Sequence, residues 1–224
     1  YLSSNILFHK SKNRILFCLL FFIISSISLT AQDFQLASNN KTIICDAADV
    51  GDTGVVNGKT YTKVDRNGLV IKITNGEDLS CVCTSGIEDM SSLFNGKNTT
   101  YDISSWDTSD ATNMQGIFQS SGSLANSDPG YWDVSSLQDQ NSVNNMFSET
   151  DMTQDLSYWC FPSRIPTQNS TNIWGNNNAY KSNPSIRPRW YNNCRTAKVA
   201  PAPSGSNSPA TLTITSNDSD NIIT

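Results

Sequence analysis

The stretch that decides the fold is "DISSWDTSDATNMQGIF", residues 102–118, in which three large apolar side chains stand in a polar background. They are Trp106, Met114 and Phe118, and the residues between them are mainly Asp, Ser, Thr and Asn. Such a segment buries little apolar surface by itself, so its meaning depends on whether the same spacing returns elsewhere in the chain.

Tryptophan does return at an almost constant interval. "DISSWDTS" contains Trp106, "GYWDVSS" contains Trp132 and "DLSYWCF" contains Trp159. The interval of about 26 residues is typical of a chain built from repeats. A second aromatic position follows at a similar interval, and its occupants are Phe94, Phe118, Phe147 and Trp174. The step from Phe118 to Phe147 is the longest because it contains an insertion, so each of about three to four repeats tolerates a longer loop.

Each repeat predicts two short elements. The alternation of residues 102–106 favours a short strand, and Asp110 or Thr112 is placed to cap a brief helical turn that carries Met114 and Phe118 on one face. Neither element buries its apolar side alone, whereas stacked copies do, at about 1.5–3 kcal/mol for each large side chain. We therefore predict an α/β fold with a buried ladder of anchors: Phe94, Trp106, Met114, Phe118, Trp132, Phe147, Trp159 and Trp174.

The alternative is an exposed aromatic platform that binds sugar or peptide. Stacked repeats favour the buried ladder instead, and they leave the polar residues between the anchors as the outer face. The outer face is where repeat proteins usually bind their partners.

The repeats resemble those of the BspA-type leucine-rich-repeat surface proteins of bacteria. The resemblance covers residues 87–174 and rests on "IEDMSSLFNG", "DISSWDTSDATNMQGIF" and "YWDVSS". The second full unit departs from the family pattern at "SDPGYW" and at Val143, where Met is usual, and "WCFPSRIPTQNSTNIW" departs further. The resemblance implies a short LRR-like solenoid in a secreted or cell-surface protein that binds a protein or glycan in adhesion.

The segments before and after the repeats are predicted to cap the two ends of the repeat stack. Asn57-Gly58 lies between two strand-like runs, which predicts a type I′ hairpin, and "GLVIKI" predicts a further strand, so residues 32–86 form a β-rich N-terminal cap. Residues 175–196 are similar to the family's C-terminal closing element. The resemblance also implies disulfide pairs between Cys45 and Cys83 and between Cys160 and Cys194, with Cys81 left free.

Residues 1–31 read as a secretory signal peptide. Lys10, Lys12 and Arg14 precede an apolar run at residues 15–24, and small residues lead to a cleavage site after Ala31. A lipoprotein signal is the alternative because Cys18 lies in the run, but the cysteine stands too near its start. We expect a secreted or bacterial cell-surface protein with no stable membrane insertion after cleavage, in which paired cysteines form disulfides.

Charge and residue types narrow the function. Cleavage of the signal removes three of the 15 basic residues and none of the 20 acidic residues. The remaining chain has 12 basic and 20 acidic residues, a net charge of −8, which disfavours binding to nucleic acid. The only histidine, His9, leaves with the signal, which excludes His-based triads and His-ligated zinc. The acidic residues lie in turn-like contexts, so we expect no catalytic residue, no metal site, no cofactor and no enzyme activity.

The C-terminal segment changes composition. Residues 197–210 read as a disordered or extended linker, and residues 211–224 as the truncated start of an Ig-like β module. The Asp-containing cluster at 217–221 fits a turn better than a calcium loop. The expected function is a binding module, and the alternative is a structural spacer in a larger envelope protein; an enzyme would need two carboxylates that converge in a cleft.

Overall fold

The computed structural model describes residues 33–98, 100–122, 124, 126–165, 173–176 and 178–203. The predicted signal peptide, the predicted Ig-like segment and the cluster at 217–221 lie outside these residues. The described residues from Phe34 onward belong to one compact unit. Within the described ranges, no helix combines the length and apolarity that a membrane crossing requires.

The N-terminal part is built from short strands. Strand β1 (Gln35–Leu36) pairs antiparallel with β2 (Ile43–Ile44). Strands β3 (Thr53–Val56) and β4 (Lys59–Lys63) form an antiparallel hairpin, and β5 (Val82–Cys83) joins β4 in parallel. The hairpin turns as the Asn-Gly dipeptide predicts, because both turn residues have positive φ, 51° and 77°.

The strand predicted at "GLVIKI" is wrong, because these residues lie in helix α1 (Arg66–Asn75). The side chain of Asp65 accepts a hydrogen bond from the Gly68 N–H at the N-terminus, and Gly76 ends the helix with φ 68°. Only Leu69 of the helix is buried. Strong caps at both ends therefore outweigh the β propensity of the Val and Ile residues between them.

The strand and helical turn predicted within the first full repeat are also wrong, since residues 102–118 form successive turns. The N–H groups of Met114, Gly116 and Phe118 donate to the next repeat, whereas those of Ile117 and Gln119 donate within their own repeat. A helix would instead satisfy its interior N–H groups within itself. The backbone thus alternates between local and inter-repeat hydrogen bonds.

The predicted helix caps have a different role. The Asp110 carboxylate accepts a hydrogen bond from the Gly86 N–H, and the Thr112 hydroxyl donates to the Glu88 carbonyl. Both bonds reach the segment that precedes this repeat, so these side chains tie neighbouring segments together.

The C-terminal part contains β6 (Cys160–Phe161), α2 (Asn178–Ser182) and β7 (Arg189–Trp190), and β6 pairs in parallel with β7. Short 3-10 helices lie at Pro129–Tyr131, Asn141–Val143, Pro184–Ile186 and Tyr191–Asn193. The described part of the chain is therefore a mixed α/β fold with small sheets and few helices. One continuous apolar core runs through the repeats.

Candidate functional site

Two aromatic columns run through the repeats. In the Phe column, ring centroids lie 5.6 Å apart between Phe94 and Phe118, 5.8 Å between Phe118 and Phe147, and 5.3 Å between Phe147 and Trp174. Adjacent rings in this column are within 21° of parallel. Equivalent side chains therefore stack from one repeat to the next.

The Trp column lies beside the Phe column. Ring centroids are 5.9 Å apart between Trp106 and Trp132 and 6.3 Å apart between Trp132 and Trp159. The two columns touch, since Phe118 stacks on Trp132 at 5.7 Å. The structure buries all eight residues of the predicted ladder, with at most 3% of any of them exposed.

The indole N–H groups of the Trp column have a shared role that the sequence did not reveal. Each donates to a backbone carbonyl that lies 27 to 30 residues earlier in the chain. The acceptors are the carbonyl oxygens of Leu79 for Trp106, Ile103 for Trp132 and Pro129 for Trp159. The Ile103 and Pro129 carbonyls also accept the backbone N–H of the residue three positions later, so the indole is their second donor. Each indole therefore adds a hydrogen bond that ties its repeat to the segment before it.

The acidic residues between the anchors mostly shape turns. In the Asp-x-Ser segments, an Asp side-chain oxygen accepts a hydrogen bond from the backbone N–H two residues later. These residues are Asp89, Asp102, Asp107, Asp133 and Asp155. In the described ranges, no cluster of three His, Cys, Asp or Glu side chains has metal-binding geometry.

Asp102 shows how one of these carboxylates is held in its charged form. Burial acts to raise its pKa, but hydrogen bonds from Ser104 and the ammonium of Lys41 outweigh burial and lower the pKa below its usual value. The Lys41 Nζ lies 3.0 Å from the carboxylate. Asp102 therefore joins the N-terminal part to the first Trp-containing segment.

A polar groove lies on the surface between the turn segments of the first and second full repeats. It has a volume of about 210 Å³, and we name it the amide groove. Its lining residues are Thr112, Asn113, Gln115, Gln138, Asp139, Asn141 and Ser142. Gln115 and Gln138 are exposed members of this lining.

A larger cavity, about 470 Å³, lies where β4 and α1 meet the start of the repeats. Its basic side chains are engaged by the fold. Arg66 donates to the carbonyls of Asp89 and Ser91, and Lys63 donates to the carbonyls of Asp46 and Ala48. Lys63 and Arg66 are thus engaged by the fold, whereas Gln115 and Gln138 of the amide groove are exposed, which favours the amide groove for ligand binding.

Two half-buried tyrosines form a further surface that the sequence analysis missed. Tyr131 and Tyr158 each precede a residue of the Trp column, and the ammonium of Lys198 lies 4.8 Å and 5.5 Å from their ring centroids. The recurrence of Tyr before Trp in "GYWD" and "SYWC" is the signal that could have revealed this tyrosine shelf.

The described residues contain two disulfides, which confirms the expectation of a disulfide-bonded chain. Cys45 pairs with Cys83 and Cys160 pairs with Cys194, and their Cα atoms are 6.4 Å and 5.3 Å apart. Cys81 is free and partly exposed. These are the pairs that the BspA resemblance implied. The first cross-links the N-terminal part, and the second ties the last Trp-containing segment to the C-terminal part.

Comparisons with curated proteins and with solved structures give no match. A comparison with protein families matches residues 67–186, which hold α1 except its first residue, the repeats and most of the C-terminal part. Because the match covers more than half of the sequence, the chain belongs to the family described as "Mycoplasma protein of unknown function, DUF285".

Proposed function

We propose that the chain is a secreted or cell-surface repeat protein that binds a protein or glycan through its amide groove. The repeats would form a short solenoid of the BspA leucine-rich-repeat kind. Support for the solenoid comes from ring stacking at 5.3–6.3 Å in both columns and from backbone hydrogen bonds between successive repeats.

Location outside the cytosol is supported by cysteine chemistry. Disulfides persist in oxidising compartments and are rare in the cytosol. Both disulfides of the structure and the signal-like character of residues 1–31 favour export.

The observation that carries the binding proposal is the groove that two neighbouring repeats build together. Residues 112–115 come from one repeat and residues 138–142 from the next, so the groove exists only when the repeats stack. Side-chain amides offer both donors and acceptors, which suits the hydroxyl groups of a glycan or the backbone of a peptide. The apolar anchors are buried elsewhere and leave this face polar.

The test is a binding screen with the chain lacking residues 1–31, against a glycan array and a panel of immobilised matrix proteins. A ligand found there is then measured against the double variant Gln115→Ala/Gln138→Ala. We expect a loss of binding with an unchanged near-ultraviolet circular dichroism spectrum. The matched control, Gln35→Ala/Asn192→Ala, removes two exposed amides outside the groove and should bind as the unmodified chain does.

Retained binding in the groove variant would show that the groove is not the site. Failure of the unmodified chain across both panels would overturn the binding proposal and favour the structural spacer.

A further inference from the structure

After Cys194, its last cysteine, the chain stays in contact with the repeats. Arg195, the residue after Cys194, donates a hydrogen bond of 2.7 Å to the Ser157 hydroxyl, and its guanidinium lies 5.5 Å from the centroid of the Tyr158 ring. Both contacts are to the last Trp-containing segment. The residues that follow therefore begin their path on the tyrosine shelf.

Lys198 continues this path. Its ammonium lies over both tyrosines of the shelf and forms an ion pair with the carboxylate of Asp128. Asp128 also accepts a hydrogen bond from the Gly130 N–H, which holds the carboxylate beside the shelf. Lys198 is thus fixed by two rings and one charge, and its side chain is only 20% exposed.

Ala200 reaches the N-terminal part. Its N–H donates to the Asn39 carbonyl at 2.8 Å, and the Asn40 amide donates to the Ala200 carbonyl at 3.2 Å. Asn39 and Asn40 lie between β1 and β2, shortly after Phe34, where this compact unit begins. Ala200 therefore lies beside the β1–β2 hairpin, near the start of the unit.

The spacing of the segment matches the spacing of the repeats. Exposure alternates along it, with Lys198 and Ala200 half-buried and Ala197 and Val199 exposed, as in an extended chain. Two extended residues advance about 6.6 Å, close to the steps of 5.9 Å and 6.3 Å in the Trp column. One repeat thus corresponds to two residues of the segment.

Strand β2 covers the neighbouring position on the same face of the repeats. The Ile43 N–H donates to the Ser105 carbonyl at 2.9 Å, and Ser105 precedes Trp106 as Tyr131 precedes Trp132. The β1–β2 hairpin and residues 195–201 therefore cover successive positions on one face of the repeats.

We propose that residues 195–201 form a strap that returns the chain along the repeats to the β1–β2 hairpin, so that Phe34 and residue 201 lie at the same end of the repeats. The opposite end, with α2 and the Cys160–Cys194 disulfide, then lies away from both Phe34 and residue 201. An in-line spacer connects through opposite ends, so the strap favours presentation of the repeats to a partner. This inference does not depend on the amide groove.

The first test is a designed cross-link in the full chain. Asn39→Cys/Ala200→Cys, in a Cys81→Ser background, places two thiols at the hydrogen-bonded pair. We expect an intramolecular disulfide on mild oxidation, mapped by peptide mass spectrometry without reduction. The control Asn39→Cys/Lys181→Cys in the same background places the second thiol on α2 and should give none. Disulfide-linked dimers, or no cross-link at Ala200, would overturn the proposal.

The second test uses trypsin cleavage after Lys198, which the strap should slow. Asp128→Asn removes the charge that holds Lys198 and keeps an oxygen for the Gly130 N–H, so cleavage should become several-fold faster. Asp133→Asn is the matched control, because Asp133 accepts the Ser135 N–H in the same kind of turn. Equal cleavage rates in both variants and the unmodified chain would show that Lys198 does not hold the strap.

Discussion

The Phe and Trp columns join the same repeats by different parts of the residue. In the Phe column, the backbone N–H groups of Phe94, Phe118 and Phe147 donate to the following repeat. In the Trp column, the backbone N–H groups bond within their own repeat, and the indole N–H groups make the connection to the preceding one. One column is joined by the main chain and the other by side chains.

This difference sets what each position tolerates. A position joined by its backbone needs only a large apolar ring, whereas a position joined by its side chain needs a ring with an N–H donor. Trp174 illustrates the first case: it stands in the Phe column, and its indole N–H has no hydrogen-bond partner among the described residues. The recurrence of Trp in this column is therefore explained by a hydrogen bond as well as by packing.

Removal of a whole ring should give the largest effect. Trp132→Ala and Phe118→Ala each leave a cavity in the core, so we expect each to lower the free energy of unfolding by about 3–5 kcal/mol. Trp132→Ala should lower it more, because it also removes the indole hydrogen bond to the buried Ile103 carbonyl. Urea denaturation followed by tryptophan fluorescence and circular dichroism measures both. A larger loss for Phe118→Ala would contradict the special role of the indole.

A ring replacement isolates the hydrogen bond. Trp132→Phe keeps an aromatic ring but removes the indole donor, so the Ile103 carbonyl keeps only the backbone N–H of Trp106. We expect the lost hydrogen bond and the smaller ring together to lower the free energy of unfolding by about 1–3 kcal/mol. The matched control is Trp174→Phe, which makes the same change in size where the indole N–H has no partner among the described residues. The control should lose clearly less stability in the same urea titration. Equal losses would mean that ring size alone accounts for the Trp column.

The repeat spacing alone was enough to locate the aromatic anchors, because large rings that recur at a nearly constant interval stand out in a polar sequence. The turn backbone was not predictable in the same way. Its left-handed residues include Ser92, Ser120 and Glu149, which carry no glycine signal. Their conformation depends on partners one repeat away, which local propensity does not reveal.

The amide groove and the strap were likewise not predictable from local sequence. Gln115 and Gln138 belong to different repeats, so only stacking places them at one groove. Lys198 lies in an Ala- and Pro-rich stretch whose composition indicates a linker. Its partners are Asp128 and two tyrosines far away in sequence.

The turns of the Phe column predict an intermediate effect. Gly116 has φ 59°, and an added Cβ would lie 3.1 Å from Gln119 Oε1, whereas at Gly96, with φ 66°, nothing lies within 4 Å. Ala in the left-handed region is unfavourable by about 1–2 kcal/mol, so both Gly116→Ala and Gly96→Ala should be destabilised in thermal unfolding. Gly116→Ala should lose slightly more. If neither variant loses stability, the left-handed turns do not constrain the column.

The smallest effect concerns the turn that positions the acceptor of the Trp column. Asp102 precedes Ile103, whose carbonyl accepts the Trp132 indole N–H, and its pKa is lower in the folded chain than its usual value. A lowered pKa stabilises the fold above about pH 3.9, the usual pKa of an unfolded Asp, and this stabilisation is lost as the pH falls through the folded pKa. Asp102→Asn should therefore flatten the acid limb of stability against pH.

The expected change at neutral pH is less than about 1 kcal/mol, because Asp102 is partly exposed and solvent screens its pairing with Lys41. Phe118→Leu is the matched control: it adds no titrating group, so it should lower stability at every pH and keep the slope. Urea midpoints measured between pH 2.5 and pH 7 compare the two. If Asp102→Asn keeps the unmodified slope, the carboxylate does not stabilise the Trp column by its charge, and the indole bonds rely on packing of the turn alone.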